Sequence, residues 1–305
     1  MKPIHYAALT LLGAVWGASF LFIGVAVPEF GPLYLMLLRV VIAGLIMLGV
    51  ARLTHGEGGL RTTLRLREKW RHYLIVGLLN SALPFSLIAY SELRLPVSLA
   101  SILNSTTPLF TALVAAALGA ESLNGRKLIG ILLGVAGVAV LMGGAQLTFS
   151  AVILIAVLAS LLAALCYGAG AVYAATHFSG LPAALASAVQ LLAAGVWLAA
   201  PGMMTVPATR PSAAAIAALA AMILIATTFA YVLYFYLLKR VGPTRTAGVT
   251  FLVPVFGSIW AVLFLHESFS LGMLAGMVII LFSVKLVMGE QPEAGTAPVA
   301  VESTE

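Results

Sequence analysis

Long apolar runs, broken by short polar stretches, set the pattern of this chain. Ten runs stand out, at roughly residues 6–27, 32–51, 72–92, 97–119, 126–143, 150–175, 182–200, 213–238, 245–265 and 270–288. Each approaches the ~20 residues that a helix needs to cross a bilayer. The pattern therefore predicts an all-α integral membrane protein. The first run could be mistaken for a secretory signal. It is too long for one and lacks a small-residue cleavage site, so it is read as a retained span. After Met288 the chain ends in "GEQPEAGTAPVAVESTE", acidic, small and Pro-containing, which reads as a disordered tail over 289–305.

Composition supports this pattern. Of 305 residues, 62% are apolar and 9% charged, against roughly 25% charged in soluble domains. The lipid bilayer is the partner that such a surface requires. The net charge of +6 could suggest nucleic acid, but the basic residues sit in short loops between apolar runs, and no nucleic-acid partner is expected. With the N-terminus cytoplasmic, Lys2, Arg52, Arg61, Arg65, Arg67, Lys69, Arg71, Arg126, Lys127, Lys239, Arg240, Arg245 and Lys285 fall inside. Only Arg94 and Arg210 fall outside, and Arg39 lies within a span. This bias predicts a multi-pass protein of the inner (plasma) membrane with both termini cytoplasmic. The single cysteine, Cys166, excludes an internal disulfide and a Cys metal cluster, and reads as a small core residue.

The chain also repeats itself. Pro108–Ser122 reads "PLFTALVAAALGAES" and Pro254–Ser268 reads "PVFGSIWAVLFLHES". Proline, phenylalanine, glutamate and serine recur 146 residues apart. At the same offset Phe85 meets Tyr231, Tyr90 meets Tyr236, Arg94 meets Arg240 and Gly130 meets Gly276. "WGASF" at Trp16 faces "YGAGA" at Tyr167 at a slightly longer offset. Two units follow, 1–145 and 146–288, of five spans each. Five is odd, so the second unit enters the membrane inverted. Inverted repeats around a central cavity are a hallmark of secondary transporters.

The "WG" motif (Trp16-Gly17), Arg39 in the second span, "P-x-F" followed by "ES" closing spans 4 and 9, and Gly-rich spans 5 and 10 resemble the drug/metabolite transporter superfamily, EamA type. The resemblance covers nearly the whole chain except the tail, with Tyr167-Gly168 in place of a second Trp-Gly. It implies a cavity lined by spans 1, 3, 4, 6, 8 and 9, with 5 and 10 peripheral. It also implies small metabolites, often amino acids, as cargo, usually exported.

The residues themselves point to a binding cavity. Pro108 and Pro254 stand thirteen residues before Glu121 and Glu267, about 20 Å along a helix, which places both near the midplane. A proline there frees a carbonyl, tolerated at that depth only against protein or water. Asn104 and Ser105 precede Pro108, and Thr250 precedes Pro254. These hydroxyls and amides either face a polar solute or bond back to their own helix. Asn80 and Pro84 mark a similar break in span 3, matched by Thr227 and Thr228 in span 8. Trp16, Phe85, Tyr167 and Tyr231 would supply aromatic walls suited to an amphipathic metabolite. Arg39 either anchors the helix, pairs with Glu29 or binds a substrate carboxylate.

No aspartate occurs, and no glutamate falls at mid-membrane, which argues against coupling through a buried acid. No catalytic set, metal site or cofactor is expected. The alternatives to a transporter of amino acids or similar solutes are a passive channel-like facilitator or scaffold and, more distantly, an intramembrane enzyme. Gly130, Gly134, Gly137, Gly272 and Gly276 have small-xxx-small spacing; they suit close packing of spans 5 and 10, against each other or in a homodimer. Asn124 and Ser270 read as N-caps of those spans, and Glu121 and Glu267, just ahead, as charges favoured by the helix dipole.

Overall fold

A computed structural model describes residues 2–64, 66–145, 150–178 and 181–289, without the side chains of 55–63, 66–67 and 243–244. The expected disordered tail beyond 289 lies outside the described residues. Among those described, ten helices are long and apolar enough to cross a membrane. They are α1 (Pro3–Phe30), α2 (Pro32–Thr54), α3 (Glu68–Glu92), α4 (Val97–Ala117), α5 (Gly125–Gly144), α6 (Ala151–His177), α7 (Ala183–Met203), α8 (Ala213–Val241), α9 (Arg245–Leu265) and α10 (Leu271–Met288). All ten predicted spans are present, some longer than expected. The helix of α2 continues past the membrane segment to Leu64, where the polar sequence had suggested a loop.

Short polar residues start the helices as cap chemistry requires. Asn124, Ser150, Ser212 and Ser270 each accept an N–H from three residues on, satisfying a donor that the helix leaves open. The expected caps of α5 and α10 are thus in place.

The helices pack across the two halves. α1 lies on α9 because Gly17 has no side chain: a Cβ there would come 2.7 Å from the Gly257 amide nitrogen. α6 lies on α4 in the same way, a Cβ on Gly168 falling 2.7 Å from the Thr111 nitrogen. Gly17 and Gly168 are 151 residues apart, and Thr111 and Gly257 are 146 apart, so the two contacts are one contact made twice. The glycine of the "WG" and "YG" motifs is the point where helices from opposite halves meet.

α5 and α10 pack on each other through glycine. Gly137 faces Ile280, and Gly276 abuts Leu141. α2 and α7 form the other facing pair, with Gly44 on Leu192 and Gly195 on Val41. Outward from α5 and α10, Leu132, Val135, Val278 and Phe282 are exposed, as lipid-facing positions are.

Candidate functional site

Between the halves lies a cavity of about 910 Å³, within the range of small-molecule sites. It reaches the face of the molecule that carries Glu121, the start of α9 and the end of α10 (Lys285, Met288, Gly289). Toward the opposite face α4 and α9 close together, a Cβ on Gly257 falling 2.7 Å from the Ser101 side chain. Beyond that crossing, the Glu267 carboxylate accepts the Val97 N–H (2.6 Å), the Ser98 N–H (3.1 Å) and the Ser98 hydroxyl (2.6 Å). It holds the first turn of α4 against the end of α9.

The cavity has two polar corners, each built on a widened helical turn. In α3 residues Leu78–Ala82, and in α8 residues Met222–Phe229, wind with one extra residue per turn, a form often found at functional sites. Thr227 and Thr228 bond back to the carbonyls of Met222 and Ile223, five residues earlier. At one corner Arg39 Nε donates to Thr227 Oγ1 (3.0 Å) and Nη2 to Ser19 Oγ (3.1 Å). Its guanidinium lies 4.1 Å over the Phe85 ring. At the other, Gln190 Nε2 donates to Ser81 Oγ (3.0 Å) and Tyr231 Oη (3.4 Å). Arg39 and Gln190 are 151 residues apart, while Ser81 and Thr227, like Phe85 and Tyr231, are 146 apart. Helix donor, turn hydroxyl and ring recur in both halves, with arginine in one and glutamine in the other.

Of the residues read from the sequence as site candidates, Trp16, Asn80, Phe85, Asn104, Ser105, Pro108, Tyr167, Tyr231, Thr250 and Arg39 all border this cavity. Trp16 rests on Tyr234, ring centres 5.4 Å apart, and Phe85 meets Tyr167 edge-on at 6.3 Å. The Asn104 Oδ1 is buried with no hydrogen-bond donor. Asn80 lies against Gly170, where any Cβ would strike its amide.

Pro254 does not border the cavity. It is buried within a helix that runs unbroken from Val249 to Leu265, and its carbonyl accepts the Ser258 hydroxyl at 2.8 Å. α9 is interrupted earlier, at Gly248, whereas α4 breaks at Ser105–Thr106, next to Pro108. The equivalent prolines therefore differ: Pro108 opens a new helical segment, whereas Pro254 rides inside one. It still deprives the Thr250 carbonyl of its usual donor.

Two readings that the sequence left open are decided, and one expectation is corrected. The hydroxyls of Ser105, Thr106 and Thr107 bond back to carbonyls three residues earlier, so their protons stay with the helix. Arg39 does not pair with Glu29, whose carboxylate caps α8 through the Ser212 N–H (2.5 Å) and hydroxyl (2.7 Å). Glu267 serves the N-terminus of α4, in the other half, rather than that of α10.

Sequence reasoning passed over Ser19, Gln190's exact counterpart role, Lys285 at the cavity mouth and Glu92. Glu92 is the last residue of α3, as it is of the apolar run read from the sequence. In the fold it is buried, and both carboxyl oxygens lack hydrogen-bond partners. Arg39 and Glu267 are close enough to act on it electrostatically. An unpartnered buried carboxyl is costly, and nothing in local sequence marks it.

Comparison with known proteins agrees with this architecture. The family described as the EamA-like transporter family matches twice, over residues 4–143 and 154–289. The chain is similar to an uncharacterized transporter, YvbV, of Bacillus subtilis (strain 168), 29% identical over 92% of this chain and 90% of the relative. It is also similar to an uncharacterized inner membrane transporter, YedA, of Escherichia coli (strain K12), 27% identical over the same shares. One solved crystal structure shares the fold, with a TM-score of 0.63 at 22% identity, over 92% of this chain and 96% of that one. The chain, a multi-pass membrane transporter rather than an enzyme, belongs to the EamA-like transporter family.

Proposed function

We propose that the protein is a secondary transporter of the inner membrane that moves small amphipathic carboxylates, amino acids foremost, by alternating access, as an exporter or exchanger. The basic residues beside the open end of the cavity, Lys285 and Lys127 among them, support reading that end as cytoplasmic under the positive-inside bias. This state is then inward-facing, and its termini are cytoplasmic.

One observation carries the substrate class. Gln190 occupies Arg39's place in the other half and satisfies the equivalent turn hydroxyl without a charge. The architecture needs a donor there, and a neutral one suffices. The surplus is a positive charge above an aromatic ring, on a cavity whose wall also holds Asn104, its side-chain oxygen unmatched. A guanidinium suits a carboxylate, the aromatic walls suit an apolar body, and Asn104 suits an amino group. Closure by the Glu267 clasp at the far end favours a carrier over a continuous pore.

Counterflow in proteoliposomes tests this reading. With radiolabelled leucine, phenylalanine and threonine screened in turn, unlabelled solute inside should accelerate uptake of at least one. Linear, unsaturable flux for every amino acid and carboxylate tried would overturn it.

A further inference from the structure

The fold buries an acid at the closed end of the cavity rather than in mid-membrane. Glu92, the last residue of α3, is 9% exposed, and neither carboxyl oxygen has a hydrogen-bond partner. Three other helices meet at it. A Cβ on Gly24 of α1 would fall 3.5 Å from Glu92 Oε2, 2.5 Å from Val97 Cγ2 of α4 and 3.7 Å from Leu265 Cδ1 of α9. Ile88, one turn earlier on the same face of α3, borders the cavity, as does Ile23 beside Gly24. The carboxyl thus stands just past the cavity wall, where α1, α4 and α9 converge. Val97 gives its N–H to Glu267, as Ser98 gives its N–H and hydroxyl. Two acids share this junction, and its donors serve only one of them.

The second half shows that the fold asks for no acid at this place. Glu92 has Leu238 as its equivalent 146 residues on, so an apolar side chain suffices there. The charged surroundings are few. α4 and residues 151–164 of α6 carry no ionisable side chain. On α1, Glu29 is taken by Ser212. On α2, Tyr34 stacks on Phe30, and Arg39 attracts a negative charge at Glu92 but is itself engaged by Thr227, Ser19 and Phe85. Glu267, after α9, repels such a charge. Arg94 and His266 are exposed. A carboxylate given neither water nor a donor is far costlier than the neutral acid.

We propose that Glu92 is a proton-binding site that controls the extracellular end of the cavity, holding its proton while that end is closed and giving it up as the end opens. This rests on the inward-facing, alternating-access reading above. When Glu267 releases Val97 and Ser98, α4 parts from α9 and water reaches Glu92. Its O–H bond breaks, the proton passes to external water, and the carboxylate left behind is solvated. Closing takes a proton back from the same side. The closed state therefore holds one more proton than the open one, so acid favours closure and rising external pH favours opening.

Ala171→Cys in a Cys166→Ala background is the reporter, because Ala171 borders the cavity and is exposed. An impermeant maleimide added outside right-side-out vesicles reaches it only when the extracellular end is open. Glu92→Gln, neutral at every pH, should label slowly throughout. Dividing the rate with Glu92 intact by the rate with Glu92→Gln cancels the titration of the thiol and of Glu267. That ratio should rise several-fold as external pH goes from about 6 to about 8.5 at constant internal pH. Glu267→Gln should raise labelling at every pH by releasing the clasp. Glu92→Leu, which copies Leu238, should match Glu92→Gln; a Glu92→Leu protein that folds yet keeps the pH response would overturn the site. If Glu267→Gln raises labelling while the ratio stays flat, the proton site is wrong and alternating access stands. If neither alkaline pH nor Glu267→Gln raises labelling above background, both fall.

Discussion

The Arg39 corner and the Gln190 corner stand at equivalent places in the two halves and differ by one charge. Each reaches across to a hydroxyl on a widened turn of the opposite half, Thr227 or Ser81. Each meets a ring at the same position, Phe85 beneath the guanidinium and Tyr231 beside the amide. What the corners share belongs to the fold: a donor that ties α2 to α8, or α7 to α3, by filling the acceptor of a distorted turn. What they do not share is free to serve transport. A repeat thus provides an internal control, the kind that a series of relatives would otherwise supply.

The largest effect expected on this comparison comes from making the corners alike. Arg39→Gln should leave the purified protein monodisperse with a near-normal melting temperature. It should weaken binding of carboxylate solutes by about 10- to 100-fold, the worth of a charge-assisted bond of roughly 1.5–3 kcal/mol. Thermal shift with and without an amino acid measures both. A collapse in expression would instead make the charge structural.

Next come the glycines that bring the halves together. Gly17→Ala and Gly168→Ala press a methyl onto backbone nitrogen at matching contacts. Each should cost about 1–3 kcal/mol, as overpacking does, and by similar amounts. Thermal denaturation in detergent reads the pair, and a large difference would show that the contacts are not equivalent in energy.

The turn hydroxyls come last, one matching the glycines in size and the other giving the smallest effect of all. Thr227→Val leaves a buried guanidinium N–H unmatched and should cost about 1–3 kcal/mol. Ser81→Ala leaves Gln190 its second partner, Tyr231, and should cost only about 0.5–1.5 kcal/mol. Equal melting shifts for the two would blur the distinction between the corners.

Spans, repeat and most of the cavity wall were legible because they depend on spacing and residue type alone. Twenty apolar residues have one place to go, and a motif written twice betrays the duplication. The prolines were less legible. Proline removes a donor wherever it stands, but whether the helix stops depends on what accepts the strain. Ser105 and Thr106 bend where Pro108 begins a segment, while Gly248 takes the bend for Pro254. Partners across halves were least legible. Glu267 and Val97 are 170 residues apart, and only the three-dimensional path of α4 and α9 makes them neighbours. Glu92 was lost for the same reason: its burial comes from helices far from it in sequence.

Arg39 and Thr227 are 188 residues apart, and that distance matters while the chain is being made. α2 enters the membrane long before α8 leaves the ribosome. Throughout that interval the guanidinium has no Thr227 hydroxyl, and it must reach toward the interface or draw water to itself. The last third of the chain therefore completes the site and also ends the exposure of a cation that the first third had already committed to lipid.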